Sequence, residues 1–437
     1  MSVPHPRAGS RRIEVTLDWI DRNARGLAVV AVLFSLVVAA GSAMALGDQI
    51  RYYDEQEYVG LADSVAAGSG LSVGNGVATA YRPPGYPFLL APISLVTGGS
   101  VLAMRLVGVL CLVVSVWLVY RLGRRLGMPA IGAVAALATA GYPLLLYTAT
   151  TLYPQVAALM LLLLSLDCAI AAVGPEQHRQ QNRVLLALTA GLALGGLTLT
   201  VATFVPGAVV TIAGLLWRRC RLLGFRRLVP VLAAICIGAV AIPSVWIARN
   251  AVEFGAFIPV STNTGLNLLL GNSENATAGS GRATDITRYT NAADAAHLGE
   301  VAADRFFARG AVDWVEQHPA DAAVLYVEKV ANTFAYRNDL ATAGQHSALQ
   351  DVVSAVTFYP ILGLAVLRLA LVRRRSLHSV EWMLILLVVS TVLVQAGFFT
   401  RIRFRVPLDP LMILLAISGL RAFIGIWTEP ARRGEPV

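Results

Sequence analysis

The feature that most constrains this chain is a recurring run of about 20 apolar residues, the length a helix needs to cross the hydrocarbon core of a bilayer. Gly26 to Leu46 is the first such run and Val101 to Tyr120 the second. Pro129 to Tyr147, Tyr153 to Val173 and Val184 to Thr200 follow, the last paired in a hairpin with a shorter run, Phe204 to Trp217. Val229 to Ile247, Val353 to Val372, Val380 to Phe399 and Pro407 to Trp427 complete the set. Composition agrees: 56% of the 437 residues are hydrophobic and only 14% are charged, against about 25% charged in soluble domains. The expectation is an all-α polytopic membrane protein, one transmembrane domain over residues 1–437 with about ten spans. Two long loops, 47–100 and 248–351, interrupt the spans and carry interface helices. Ala43-Met44-Ala45 resembles a signal cleavage site, but the apolar run before it exceeds the roughly 7–15 residues of a signal peptide, so it is read as a span.

Sidedness follows from arginine. The net charge is +9 and nearly all of the 35 basic residues are Arg. Cytoplasmic loops collect Lys and Arg. With both termini inside, the inner segments hold Arg7, Arg11, Arg12, Arg22 and Arg25 at the start and Arg121, Arg124 and Arg125 after the second span. Arg179, Arg183, the Arg218–Arg227 cluster, Arg373–Arg375, Arg432 and Arg433 fall on the same side. The long loops are then outside. Basic residues placed by topology in this way do not form one binding face, which argues against a nucleic-acid partner. The four cysteines lie in or beside apolar runs, and no CxxC or Cys/His spacing is present, so neither a zinc site nor a disulfide framework is indicated.

One short loop opposes the charge rule. Thr400-Arg401-Ile402-Arg403-Phe404-Arg405 joins the last two spans and falls outside. A bound anion would compensate, because guanidinium forks match phosphate geometry; lipid headgroup contact is the ordinary alternative. Read as an extended segment, the loop sends Arg403 and Arg405 to one side and Phe404 to the other. Asp409-Pro410 then offers a cap and first-turn proline for the last helix.

The first outer segment opens Tyr52-Tyr53-Asp54-Glu55-Gln56-Glu57-Tyr58, and Tyr58, Leu61, Ala62 and Val65 share a helical face. Acidic residues suit a helix start, which by itself accounts for Glu55 and Glu57. Asp54, directly after the first span, is harder to explain that way, since ionisable groups near the hydrocarbon boundary are costly and often functional. Gly68 can stop the helix, and Tyr81-Arg82-Pro83-Pro84-Gly85 forms an extended turn. The second outer segment begins with a small-residue loop, Ser261-Thr262-Asn263-Thr264-Gly265, through Asn267 to Gly271-Asn272. Amphipathic helices are expected near Ala293 to Arg309 and Ala320 to Phe334.

These motifs in this order, with Arg403-Phe404-Arg405 before the last span and the His318-Pro319…Lys329 stretch, resemble the GT-C membrane glycosyltransferases. The group most similar is glycosyltransferase family 39 and its bacterial relatives, the protein O-mannosyltransferases and the lipid A aminoarabinose transferase. The resemblance implies transfer of a hexosyl or pentosyl group from a polyprenyl-phosphate donor to a lipid, glycan or protein acceptor, on the outer face of a bacterial-type cytoplasmic membrane. It assigns Asp54 as the catalytic carboxylate with Glu55 beside it, and Arg82, Arg403 and Arg405 to the donor phosphate. Tyr53, Glu57, Tyr81, Asn263, Asn267 and Arg401 are further candidates for substrate contact. No cofactor is expected, though the sequence leaves a divalent metal open. The chain departs from the family pattern at Pro154-Gln155, where relatives often carry an acidic residue, and at Thr200-Val201-Ala202, where they often show Thr-Arg-Pro. The competing class is a non-enzymatic transporter or flippase of lipid-linked sugars, which would place polar groups at mid-span; Asp167, Arg368 and Glu381 sit nearer the inner ends.

Overall fold

The computed structural model describes residues 8–74, 76–174, 180–337 and 347–428. Arg7, Arg179, Arg432 and Arg433 lie outside the described residues, as does the 338–346 stretch of the second long segment.

The apolar runs become helices. The chain begins with α1 (Ala8–Leu46), then α2 (Tyr53–Ala66), a hairpin of β1 (Ser72–Val73) and β2 (Val77–Ala78), and α3 (Gly85–Thr97). Next come α4 (Val101–Arg125), α5 (Pro129–Ala140), α6 (Pro143–Ala149), α7 (Gln155–Val173), α8 (Gln180–Thr200), α9 (Val205–Leu223) and α10 (Phe225–Phe254). The second long segment folds as α11 (Thr264–Gly271), α12 (Thr287–Ala295), α13 (Glu300–Gln317) and α14 (Pro319–Asn332). The chain finishes with α15 (Ala348–Ala370), α16 (Ser379–Ala396), the single turn α17 (Ile402–Arg405) and α18 (Asp409–Thr428).

Among the described residues, eight helices are long and apolar enough to cross a membrane, and nine if α5 and α6 are one span bent by 61°. Pro143, which cannot donate a helical hydrogen bond, accounts for the bend. The expected tenth span is α9, which falls short because Arg218, Arg219 and Arg221 occupy its last turns. The protein is an all-α polytopic membrane protein whose only strands among the described residues form the β1–β2 hairpin.

In α1, Ala24, Ala28, Ala31, Ala39 and Ala43 are buried while Val30, Leu33 and Val37 are exposed. That small-residue face lets α4 and α5 approach closely, which is how helices pack where lipid is as apolar as the side chains. Gly191 and Gly238 bring α8 and α10 together backbone to backbone in the same way.

Charges inside the bundle are paired. Asp167 on α7 meets Arg121 at 2.7 Å and Arg125 at 2.8 Å. Arg368 and Glu381 form a two-pronged pair at 2.6 and 2.8 Å. The expected helix over Ala293 to Arg309 is broken: α12 ends, His297 takes a φ of 48°, and α13 starts at Glu300. The second expected helix forms as α14, with Pro319 in its first turn.

Candidate active site

A buried anchor places the α1–α2 corner. Arg105 of α4 is fully buried and donates to the carbonyls of Gln49 and, at 2.8 Å, Thr150. Glu55, also buried, accepts from the backbone N–H of Arg51 at 2.7 Å and of Leu152 at 3.0 Å, with Arg105 3.6 Å away. Glu55 therefore ties the first turn of α2 to the α6–α7 connection and points away from Asp54. The sequence coupled the two carboxylates, but a helix rotates successive side chains by about 100°, and burial claims the second of them.

Asp54 takes the opposite face. Its Oδ1 accepts from Arg82 at 2.8 Å and its Oδ2 from Arg403 at 2.7 Å. Burial alone would raise its pKa, but the charges and hydrogen bonds of Arg403 and Arg82 outweigh that and hold it below the ordinary carboxylate value. Asp54 is therefore an ionised carboxylate shared by two guanidinium groups.

Arg82 is aimed by the turn that follows the hairpin. It also donates to Glu57 and stacks near the Tyr58 and Tyr81 rings, 5.4 and 5.7 Å from their centroids. Directly behind it, Gly85 packs on the end of α8, where a Cβ would lie 2.6 Å from Thr200 Oγ1 and 2.7 Å from the Leu199 carbonyl. Only glycine fits that approach. It also sets Thr200-Val201-Ala202, one of the departures from the family pattern, against the arginine turn.

The Arg403 loop differs from the extended reading. Ile402–Arg405 is a helical turn, so residues two apart diverge by about 200°. Arg403 reaches Asp54 and lies 5.2 Å from the Tyr153 ring centroid. Arg405 turns inward, fully buried, pairing with Asp409 at 3.0 Å and donating to the carbonyls of Thr333 at 3.1 Å and Ala335 at 2.8 Å. Asp409 is thus the partner of a buried arginine and not a helix cap. Arg401 donates to the Ser280 carbonyl at 3.0 Å, and burial and the nearby Arg403 lower its pKa to about 10.

Of the other expected contacts, Glu57 and Tyr81 join this cluster, and exposed Tyr53 lies under Arg282, 5.9 Å away. Asn263 accepts from Ser261 at 2.9 Å, and Asn267 is half-buried on α11. Arg282, absent from the sequence candidates, donates to the Tyr81 hydroxyl at 3.4 Å and joins the field acting on Arg401. Arg282, Arg401 and Arg403 come from two distant parts of the chain to the neighbourhood of Asp54. Glu57 and Arg82 also border a cavity of about 520 Å³. A larger cavity, about 600 Å³, lies near Leu17 at the opposite end of α1 and shares no residue with this site.

Among the described residues no group of three or more His, Cys, Asp or Glu is arranged to hold a metal. The cluster can hold an anion against its arginines while offering an ionised carboxylate to an adjacent hydroxyl.

A family model described as dolichyl-phosphate-mannose-protein mannosyltransferase matches residues 81–247. The oligosaccharyltransferase of Archaeoglobus fulgidus superposes with a TM-score of 0.53 at 14% identity, covering 92% of this chain. The fold is that of the GT-C glycosyltransferases. The chain spans about half, 51%, of the archaeal enzyme's length. A second structure of that enzyme, tethered to an acceptor peptide containing the NVT sequon, gives a TM-score of 0.50 at 14% identity, covering 94% of this chain and 51% of that one. ArnT from Cupriavidus metallidurans, bound to undecaprenyl phosphate, aligns at 16% identity over 91% of this chain and 78% of its own, with a TM-score of 0.44. No curated protein sequence matches the chain. The family stretch includes Arg82 but neither Asp54 nor Arg403, and the fold brings the three together.

Proposed function

We propose that this protein transfers a sugar from a polyprenyl-phosphate donor to an acceptor hydroxyl, with inversion, on the outer face of a cytoplasmic membrane that holds both termini inside. The observation that carries the reading is the Asp54 carboxylate divided between Arg82 and Arg403. The GT-C fold and the matching mannosyltransferase family support it.

The acceptor hydroxyl attacks the anomeric carbon from the face opposite the phosphate. Its proton passes to Asp54 as general base. The bond from the anomeric carbon to the phosphate oxygen breaks, and its electron pair stays with the lipid phosphate. Arg403, with Arg401 and Arg282 close by, stabilises the charge that grows on that oxygen. At rest Arg403 is held by Asp54 and weakens it as a base. A donor phosphate that draws Arg403 away returns basicity to Asp54, so donor binding itself switches the base on. Glu55 and Arg405 frame the site by holding α2 and α17. The sugar is hexosyl or pentosyl, and no metal is assigned a role.

The transporter alternative predicts polar groups at mid-span, whereas Asp167, Arg368 and Glu381 fall nearer the inner ends of their spans. The deciding experiment is mass spectrometry of lipid-linked sugars and envelope glycans in a deletion strain, together with transfer by purified protein. One polyprenyl-phosphate sugar should accumulate and one glycan decoration disappear. Unchanged lipid-linked sugars and glycans would overturn the assignment.

A further inference from the structure

We propose that the cavity beside Glu57 and Arg82 is the acceptor subsite and that its occupant is a saccharide. The inference rests on the transfer reading above and names the acceptor class that reading leaves open.

Position comes first. Arg82 holds Oδ1 of Asp54 and also lines the cavity, while Oδ2 faces Arg403. Arg82 thus stands between one carboxylate oxygen and the cavity, while Arg403 holds the other oxygen.

Charge then sets the cavity apart. The charged groups lining the cavity are Glu57, Asp63 and Arg82, so carboxylates outnumber the single cation. Such a lining repels a phosphate. Arg282, Arg401 and Arg403 do not line the cavity, and Arg403 holds the other carboxylate oxygen. The donor phosphate belongs with those arginines, which leaves the cavity to a ligand without negative charge.

The remaining lining identifies that ligand. Ser64, Ser69, Ser72 and Thr79 supply hydroxyls and Tyr81 supplies a ring. Hydroxyls both donate and accept, and carboxylates accept, which matches a ring of vicinal hydroxyls with an apolar face for the tyrosine. The volume, about 520 Å³, is that of a small-molecule pocket and not of an extended groove. β1 and β2, at two residues each, are too short to hold a polypeptide acceptor by strand pairing.

Gly60 provides the test. It lines the cavity from α2, and a Cβ there meets nothing within 4 Å. Gly60→Leu therefore fills the cavity without a backbone clash and adds helix propensity. The probes are free hexoses, pentoses and a disaccharide, beside a Ser/Thr-containing peptide, each measured by saturation-transfer NMR on the full chain in detergent. At least one saccharide should bind wild type and Asp54→Asn alike and lose tenfold or more in affinity with Gly60→Leu, while the melting temperature and polyprenyl-phosphate affinity stay unchanged. Peptide binding that Gly60→Leu abolishes would overturn the saccharide assignment. No saccharide binding to wild type, or equal binding to Gly60→Leu, would overturn the subsite. Saccharide binding lost in Gly60→Leu, in a protein that transfers no sugar from any polyprenyl-phosphate donor, would sink the transfer reading and leave the saccharide site standing.

Discussion

Arg403 donates from Nη1 to Oδ2 of Asp54 at 2.7 Å, joining residues 349 positions apart. The contact sets the base strength of the carboxylate, because Arg403 is the largest influence opposing the effect of burial. It also couples the loop before the last span to the first turn after the first one.

Asp54→Asn should fold, since the amide oxygen still accepts from one guanidinium, and should lose transfer by on the order of 100-fold or more if general base catalysis is the role. The measurement is single-turnover transfer from a polyprenyl-phosphate sugar. Turnover near wild type would remove Asp54 from the chemistry.

The pH profile tests the coupling. Asp54 is held below its ordinary pKa, so its ionised form persists as pH falls, and its acid limb should appear only below the usual carboxylate range. Removing Arg403 takes away the strongest influence opposing burial and raises that pKa, so Arg403→Ala should move the acid limb of kcat/KM, which reports the free enzyme, to higher pH besides weakening donor binding. A charge-assisted bond of this kind contributes about 1.5–3 kcal/mol. Arg403→Lys should restore only part of the donor affinity, because a point charge lacks the guanidinium fork. An acid limb that does not move in Arg403→Ala would separate the two residues functionally.

Arg405 should behave differently from Arg403. Both Arg405 and Asp409 are fully buried, and breaking a buried pair by removing one partner typically costs about 3–5 kcal/mol. Arg405→Ala should therefore lower the melting temperature in detergent and the yield of folded protein, with donor affinity in the folded fraction reduced less than in Arg403→Ala. A stable Arg405→Ala variant with lost donor affinity would return Arg405 to the phosphate.

Glu55 offers the matching contrast with Asp54. A glutamine there keeps one acceptor oxygen but turns an amide donor toward the N–H groups of Arg51 or Leu152. Glu55→Gln should lose thermal stability while the folded fraction retains turnover within about tenfold of wild type, a far smaller loss than general-base removal produces. A normal melting temperature with a 100-fold loss of transfer would make Glu55 a participant.

Gly85→Ala should disturb Arg82 from behind. The added methyl would meet the Leu199 carbonyl at 2.7 Å, and overpacking of this kind costs about 1–3 kcal/mol. Lower stability together with weaker acceptor binding is expected; a variant matching wild type in both would show that the arginine turn tolerates displacement.

The spans were legible because apolar length is a property of the local sequence, and so was Asp54, stranded beside the first of them. Arg403 stood out as a cation in a loop where the charge rule expects few, and Arg82 through the family resemblance. The partition of Arg403 from Arg405 was not legible. Three alternating residues carry no signal that separates an extended segment from one helical turn, and the buried carboxylate that claims Arg405 decides it through tertiary packing. Glu55 was hidden for the same reason, since its ligands are backbone N–H groups, one of them 97 residues away. Arg282 follows glycines in a long segment, and nothing near it in the chain shows that the segment folds back over Tyr53 and Tyr81. The break at His297 appears only as a positive φ.

One further contact bears on how this protein could be altered. Glu300, at the start of α13, accepts from Thr79 Oγ1 and the Ala80 N–H at 2.8 Å each, and from Thr262 Oγ1 at 2.5 Å. A single carboxylate thus clasps the strand that leads into Arg82 to the loop that opens the second long segment. Acceptor preference cannot then be transplanted one loop at a time: a chimera that exchanges residues 47–100 with a relative's must bring that relative's counterpart of Glu300, or the graft will arrive with its arginine turn unmoored. Some two hundred residues of chain separate the two segments that this joint holds together.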